Sequence, residues 1–198
     1  MKRLLAIGLT VALGGMSGCA LTVHDARVDY KYTKAPAADF ASSPEKIRVG
    51  NFEDSRGMDN PRIIMHSKNM YGNTMSGGTQ AEKPVAEIVR DGVVQGLTTA
   101  KAHVVDDDPS VILSGDLMEY GYTVVQGLWT GTANTKLMLK LKLTSKTGNT
   151  IWSDTLLGKA SYHAAMNPGE DALFRLTLDD LVERLQKNED FQHALHVQ

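Results

Sequence analysis

"LKLKLTSKTGNTIWSD", residues 139–154, decides how the rest of the chain is read. Leu137, Leu139, Leu141 and Leu143 alternate with Lys136, Met138, Lys140 and Lys142. Successive side chains of a strand point to opposite faces, so this strict period of two makes one face apolar and the other wet. The turn falls at Thr147-Gly148 or at Gly148-Asn149, both suited to a two-residue hairpin loop. A loop of even length puts Trp152 and Leu156 on the leucine face; an odd loop would turn Trp152 to solvent.

Outward from this hairpin the pattern is mixed. "NPGE", residues 167–170, reads as a cap at Asn167, a proline at the first helical position and Glu170 placed for a capping box. Phe174, Leu178, Leu181, Val182 and Leu185 then form a helical stripe, and Phe191 and Leu195 supply a last apolar turn. Residues 111–125 are β-rich, with Gly115 and Gly121 as bends or bulges. A helix over 82–101 carries Val85, Ile88, Val89, Val93 and Leu97, with Pro84 in its first turn. Gly92 and Gly96 cost that helix about 1 kcal/mol each relative to alanine, which close packing onto a sheet would offset. "KIRVGNFEDSRG", residues 46–57, is a strand entering a charged turn, and residues 66–80, with glycines at 72, 77 and 78, read as a long mobile loop. The fold class expected is α/β of the α+β kind: a mixed, largely antiparallel sheet with helices packed on one face.

The N-terminus follows a different logic. "MKR" is basic, residues 4–15 are an uncharged apolar run, and the run is too short to span a bilayer. That is an export signal, residues 1–18, and not part of the fold. The one cysteine of the chain, Cys19, follows directly and cannot form an internal disulfide. Residues 19–45, rich in Ala, Ser and Pro, read as a tether, in which Val28, Tyr30 and Tyr32 alternate and can dock as a short strand; residues 46–198 form a single domain. The formal net charge of -2 argues against a general nucleic-acid binder, and loss of Lys2 and Arg3 leaves 19 basic against 23 acidic residues, or -4.

Met16, Ser17, Gly18 and Cys19 resemble the bacterial lipobox, in which the cysteine takes a diacylglyceryl group, the signal is cut before it and the new amine is acylated. A plain secretory signal with an incidental cysteine is the competing reading. Several acyl chains on Cys19 would anchor the protein to a membrane almost permanently. Ala20, in place of aspartate, implies by the same resemblance sorting to the outer membrane, with the domain in the periplasm. The "VGNFEDSRG" strand and turn, the hairpin with "KTGNTIWSD" and the C-terminal "DFQHAL" resemble YajG-type lipoproteins. The hairpin is also similar to domains of LpoB-type activators of penicillin-binding proteins and CsgG-type secretion lipoproteins. These resemblances imply a small α/β sandwich with no catalytic motif. An LpoB-like activator would use a longer, proline-rich tether, and a CsgG-like pore would need extra membrane-inserting strands.

Function is therefore expected in binding and not in catalysis: no cofactor beyond the lipid on Cys19, and as partner an envelope protein or peptidoglycan. Met70, Tyr71 and Met75 are adaptable apolar contacts in the glycine-rich segment, which ends "SGGTQAEKP" and lacks the Gly-Lys-Ser/Thr of a phosphate loop. Trp129, in a Gly-Thr turn, is either a binding hot spot or a plug at the end of the sheet. Lys136, Lys140 and Lys142 form a basic stripe that meets an acidic partner or an anionic glycan, or else guards a sheet surface. His193 and His196 share a helix face but lack a third ligand; Asp106–Asp108 lack the spaced oxygens and glycine of a calcium loop. Glu53, Asp54 and Arg56 read as a turn whose charges pair locally.

Overall fold

The computed structural model describes residues 23–68, 73–126, 131–164 and 169–196. In chain order the elements are β1 (Val23–Ala26), β2 (Lys46–Asp54), β3 (Ile63–Lys68), β4 (Thr74–Ala81), α1 (Val85–Thr99), β5 (His103–Val104), β6 (Val111–Gln126), β7 (Gly131–Ser145), β8 (Thr150–Ala164), α2 (Glu170–Lys187) and α3 (Glu189–Ala194). Among the described residues they build two sheets, a five-stranded one ordered β5-β2-β6-β7-β8 and a three-stranded one ordered β1-β4-β3. In the larger sheet β6, β7 and β8 form an antiparallel meander and β2 runs parallel to both β5 and β6. This is the mixed, largely antiparallel α+β fold expected, but with two sheets in place of one.

The opening stretch forms the middle of the large sheet. Leu137, Leu139, Leu141 and Leu143 are fully buried, while Lys136, Lys140 and Lys142 are exposed. The helices cover the leucine face: Phe174 of α2 meets Tyr120 edge-on at 5.2 Å, and Phe191 of α3 lies 5.0 Å from Trp152. Trp152 is on that face, but not because of a two-residue turn. The N–H of Ser145 donates to the carbonyl of Asn149 at 2.8 Å and that of Gly148 to the carbonyl of Ser145 at 2.9 Å. The loop is thus Lys146-Thr147-Gly148, odd in length, with Gly148 at φ 87° where a glycine is favoured. Thr144 then faces Thr150 while Leu143 faces Trp152, so Ile151 is an extra residue that restores the parity.

Four other expectations need correction. Residues 66–68 and 74–80 are strand and not loop: 66–68 end β3 and 74–80 lie in β4, paired antiparallel from Ile63↔Gln80 to Lys68↔Thr74. A methyl group added at Gly78 would come 2.3 Å from the carbonyl oxygen of Met65, so the glycine marks a close backbone approach inside a sheet. Gly92 and Gly96 face α2, not a sheet; a methyl at Gly96 would come 2.1 Å from Cγ1 of Val182, and Gln186 Nε2 donates to the Gly96 carbonyl at 2.7 Å. Helix α2 begins at Glu170 behind Gly169, whose φ is 93° and which provides no side-chain cap. Glu170 is therefore the first helical residue and not the third, and Asn167 and Pro168 lie outside the described residues.

The fourth correction concerns the tether. Val28, Tyr30, Tyr32 and Phe40 are buried in the main core, although residues 27–45 form no strand. The Tyr30 hydroxyl donates to Asp179 at 2.7 Å, Ala37 N–H donates to Gln186 at 2.7 Å, and Phe40 N–H donates to the Ala100 carbonyl at 2.7 Å. Phe40 also packs edge-on against Phe191. The segment is a strap bound across α1 and α2, held by aromatic burial that its Ala- and Pro-rich surroundings disguise.

One charged group joins the two sheets. The Arg56 side chain is 2% exposed, pairs with Asp54 at 2.7 Å, and donates to the carbonyls of Ile63 and Ile64. The "FEDSRG" turn does pair its charges locally, and it also fastens the start of β3 to the end of β2.

Candidate functional site

The helices leave one face of the five-stranded sheet uncovered. Buried Ile47 and Val49 send Arg48 to that face, and the leucine alternation sends Lys136, Lys140 and Lys142 there. Register carries the surface across the strands: Lys140 stands between Asp116 and Thr155, Lys142 between Ser114 and Ser153, and Lys136 beside Lys159. On β2, Glu53 faces Asp116.

Charge on this face is unevenly compensated. Lys136 pairs with Glu119 at 2.7 Å. Among the described residues, Lys140 and Lys142 form no ion pair and are exposed, so their ammonium groups are available to a partner. Lys136 opposite Lys159 is a directly facing like-charge pair, which costs stability unless an anion lies near. Asp116 is half-buried, and its Oδ1 is closed to solvent without a hydrogen-bond partner among the described residues. The face thus presents Arg48, Lys136, Lys140, Lys142 and Lys159 against Glu53, Asp116 and Glu119. It carries an excess of two positive charges on a chain whose sum is -2.

The other candidates are scattered. Met75 is half-buried in β4. Met70, Tyr71, Trp129 and the segment Met16, Ser17, Gly18, Cys19 lie outside the described residues. His193 and His196 are both exposed at the C-terminal end of α3 and just beyond it. Asp108 is taken by lysines, with Lys146 at 2.8 Å and Lys46 at 3.9 Å; the hydrogen bond from Lys146 holds its carboxyl below the usual range. Among the described residues no group of three or more His, Cys, Asp or Glu converges as a metal site would. A shallow cavity of about 410 Å³ lies beside β1, lined by Asp25, Ala26, Arg27, Arg62 and Glu82, with cations and carboxylates in equal number.

Arg48 and Lys159 extend the basic face beyond the three lysines singled out in β7. Each was marked by its neighbours: Arg48 lies between two buried aliphatics, and Lys159 has the parity opposite to Trp152 and Leu156. What the sequence could not supply was strand order, which brings β2 and β8 to the two sides of β6 and β7.

No family model matches the chain, and no curated protein matches it. Solved structures do. Protein XCC0632 of Xanthomonas campestris, of the DUF330 family, is 15% identical with a TM-score of 0.61, over 86% of this chain and 96% of that one. The two chains share a fold. A minor lipoprotein of Acinetobacter baumannii is 14% identical at a TM-score of 0.44, over 75% of this chain and 93% of that one. The hypothetical protein CT253 of Chlamydia trachomatis is 6% identical at 0.49, over 74% and 95%. The likeness to XCC0632 concerns the fold and transfers no activity. Among the described residues, no helix is long and apolar enough to cross a membrane.

Proposed function

We propose that this chain is a lipid-anchored, non-enzymatic binding protein of the bacterial envelope. It is held at the outer membrane through acylated Cys19, with its body in the periplasm, and it binds through the open face of the five-stranded sheet. The partner is an acidic surface, on an envelope protein or on peptidoglycan. The supporting observation is the basic excess on that face, with Lys140 and Lys142 exposed and unpaired. Complementary charge steers association and sets specificity, so a positive face on an acidic chain favours an anionic partner.

A YajG-like accessory role accommodates this reading. An LpoB-like activator is less well served, because residues 27–45 are strapped to α1 and α2 and do not extend as a reach. The test is the pair Lys140→Glu with Lys142→Glu, beside Cys19→Ser. Charge reversal is expected to abolish crosslinking in whole cells to the partner captured by the parent protein, with the fold retained at a modest cost in stability because Lys140→Glu faces Asp116. Cys19→Ser is expected to leave a folded protein that no longer sediments with membranes. Undiminished crosslinking after charge reversal would remove the basic face as the site.

A further inference from the structure

The strand β1 begins at Val23, four residues after Cys19. From there the chain is fixed to the body. Val23–Ala26 pair in parallel with Gly78–Ala81. Val28 N–H donates to Glu82 at 3.0 Å, and the Val28 side chain is buried. Tyr30 then bonds to Asp179, and the strap continues across the helices. An extended chain advances at most about 3.5 Å per residue, so Cys19 lies within roughly 14 Å of Val23. An acylated cysteine keeps its backbone at the boundary between acyl chains and headgroups, so the start of β1 is held close to the bilayer.

Strand direction says which part of the body comes down with it. Because β1 and β4 are parallel, the chain enters β1 from the side on which β4 begins. Val23 is level with Gly78, and β4 begins at Thr74, opposite Lys68. Residues 74–77 of β4 and the end of β3 therefore project past β1 toward the anchored side. The other pole is also defined. β2 runs from Lys46, bonded to Ser110, to Asp54 and the Arg56 clamp on the small sheet. Its nine residues span about 30 Å. The β7–β8 turn at Lys146, whose N–H donates to the Ser110 carbonyl, lies at the Lys46 end.

We infer that the β3–β4 end of the small sheet rests on the phospholipid bilayer that holds the acyl chains of Cys19, with the β7–β8 turn pointing away from it. This rests on acylation of Cys19. The domain then stands on its own membrane as a fixed post, and any partner of the basic face is met beside that membrane.

The sole cysteine makes the test clean, since in the lipidated protein its thiol is consumed and an introduced cysteine is the one labelling site. Full-length lipidated Thr74→Cys and Lys146→Cys variants are labelled with a small fluorophore and placed in phosphatidylethanolamine–phosphatidylglycerol vesicles containing nitroxide-headgroup lipid. Ser76→Cys repeats the near position should Thr74→Cys fail to fold. The expected result is at least threefold stronger quenching at position 74 or 76 than at 146. Equal quenching at the two poles, or stronger quenching at 146, overturns the orientation while leaving the anchor intact. The mass of the N-terminal peptide reads the anchor separately: an unacylated Cys19 overturns the anchor, and the orientation with it.

Discussion

In the five-stranded sheet Leu137, Leu139, Leu141 and Leu143 each lie fully buried beneath the helices, whereas the three-stranded sheet buries Ile63, Ile64 and Met65 of β3 and little else that is large. The first is held by area. A fully buried leucine contributes roughly 1.5–3 kcal/mol relative to an exposed one, and four occur within seven residues. The second is held by close approach and by charge: Gly78 lets the β3 backbone in, Arg56 gathers the carbonyls of Ile63 and Ile64, and Arg62 donates to the Ala81 carbonyl at 2.8 Å. The difference teaches that the two sheets are held by different physics, one by buried area and the other by a few close polar contacts. The three-stranded sheet is the thinner one, and it is fastened to the rest through a few named groups.

The strongest blow falls on the large sheet. Phe174→Ala removes a fully buried ring that meets Tyr120, and is expected to lower global stability by about 3–5 kcal/mol, read by urea unfolding of the Cys19→Ser form. A loss under about 1 kcal/mol would mean that α2 is not a keystone. Gly78→Ala strikes the small sheet instead. Its methyl would meet the Met65 carbonyl, and overpacking of that kind costs about 1–3 kcal/mol. Amide exchange in β3 and β4 should speed up by roughly ten- to a hundredfold while β7 is unchanged, since about 1.4 kcal/mol is a factor of ten. Equal acceleration in both sheets would show that they open as one unit, and the contrast would fail.

The smallest effect is expected at the strap. Hydrogen bonds from Lys187 and then Lys34 hold the Glu183 carboxyl down at about 2, from an ordinary 4.5. A carboxyl depressed by folding stabilises fully above its ordinary value, and that contribution is lost as pH falls from about 4.5 toward 2. Burial raises the Asp179 carboxyl, so its protonation on acidification favours the fold and partly offsets the loss. Exchange of the amides of residues 30–34 should therefore accelerate modestly as pH falls below 4.5, after correction for intrinsic rates, and less so in Lys34→Ala. An unchanged pH response in Lys34→Ala would detach the strap from this ion pair.

Much of the large sheet was legible because it obeys a local rule. Alternation in β7 fixes faces without knowledge of any partner strand, and it assigned Lys136, Lys140 and Lys142 to the wet face correctly. The small sheet was illegible for the converse reason. In β4 the glycine that permits contact with Met65, Gly78, is of the residue type that elsewhere signals a loop. The strap misled through composition, since Tyr30, Tyr32 and Phe40 are spread among alanines and prolines while their partners, Asp179, Gln186 and Phe191, lie some 150 residues away.

By itself the sequence determined the periodic elements, the buried leucine face and the signal-like start with its single cysteine, because each is written in consecutive residues. Tertiary structure decided the rest. Strand order brought Arg48 and Lys159 to the lysine face, and a bulge at Ile151 turned Trp152 inward despite an odd loop. Parallel pairing of β1 with β4 set the side from which the chain enters the small sheet. Those outcomes depend on pairings between residues distant in the chain, which no local pattern encodes.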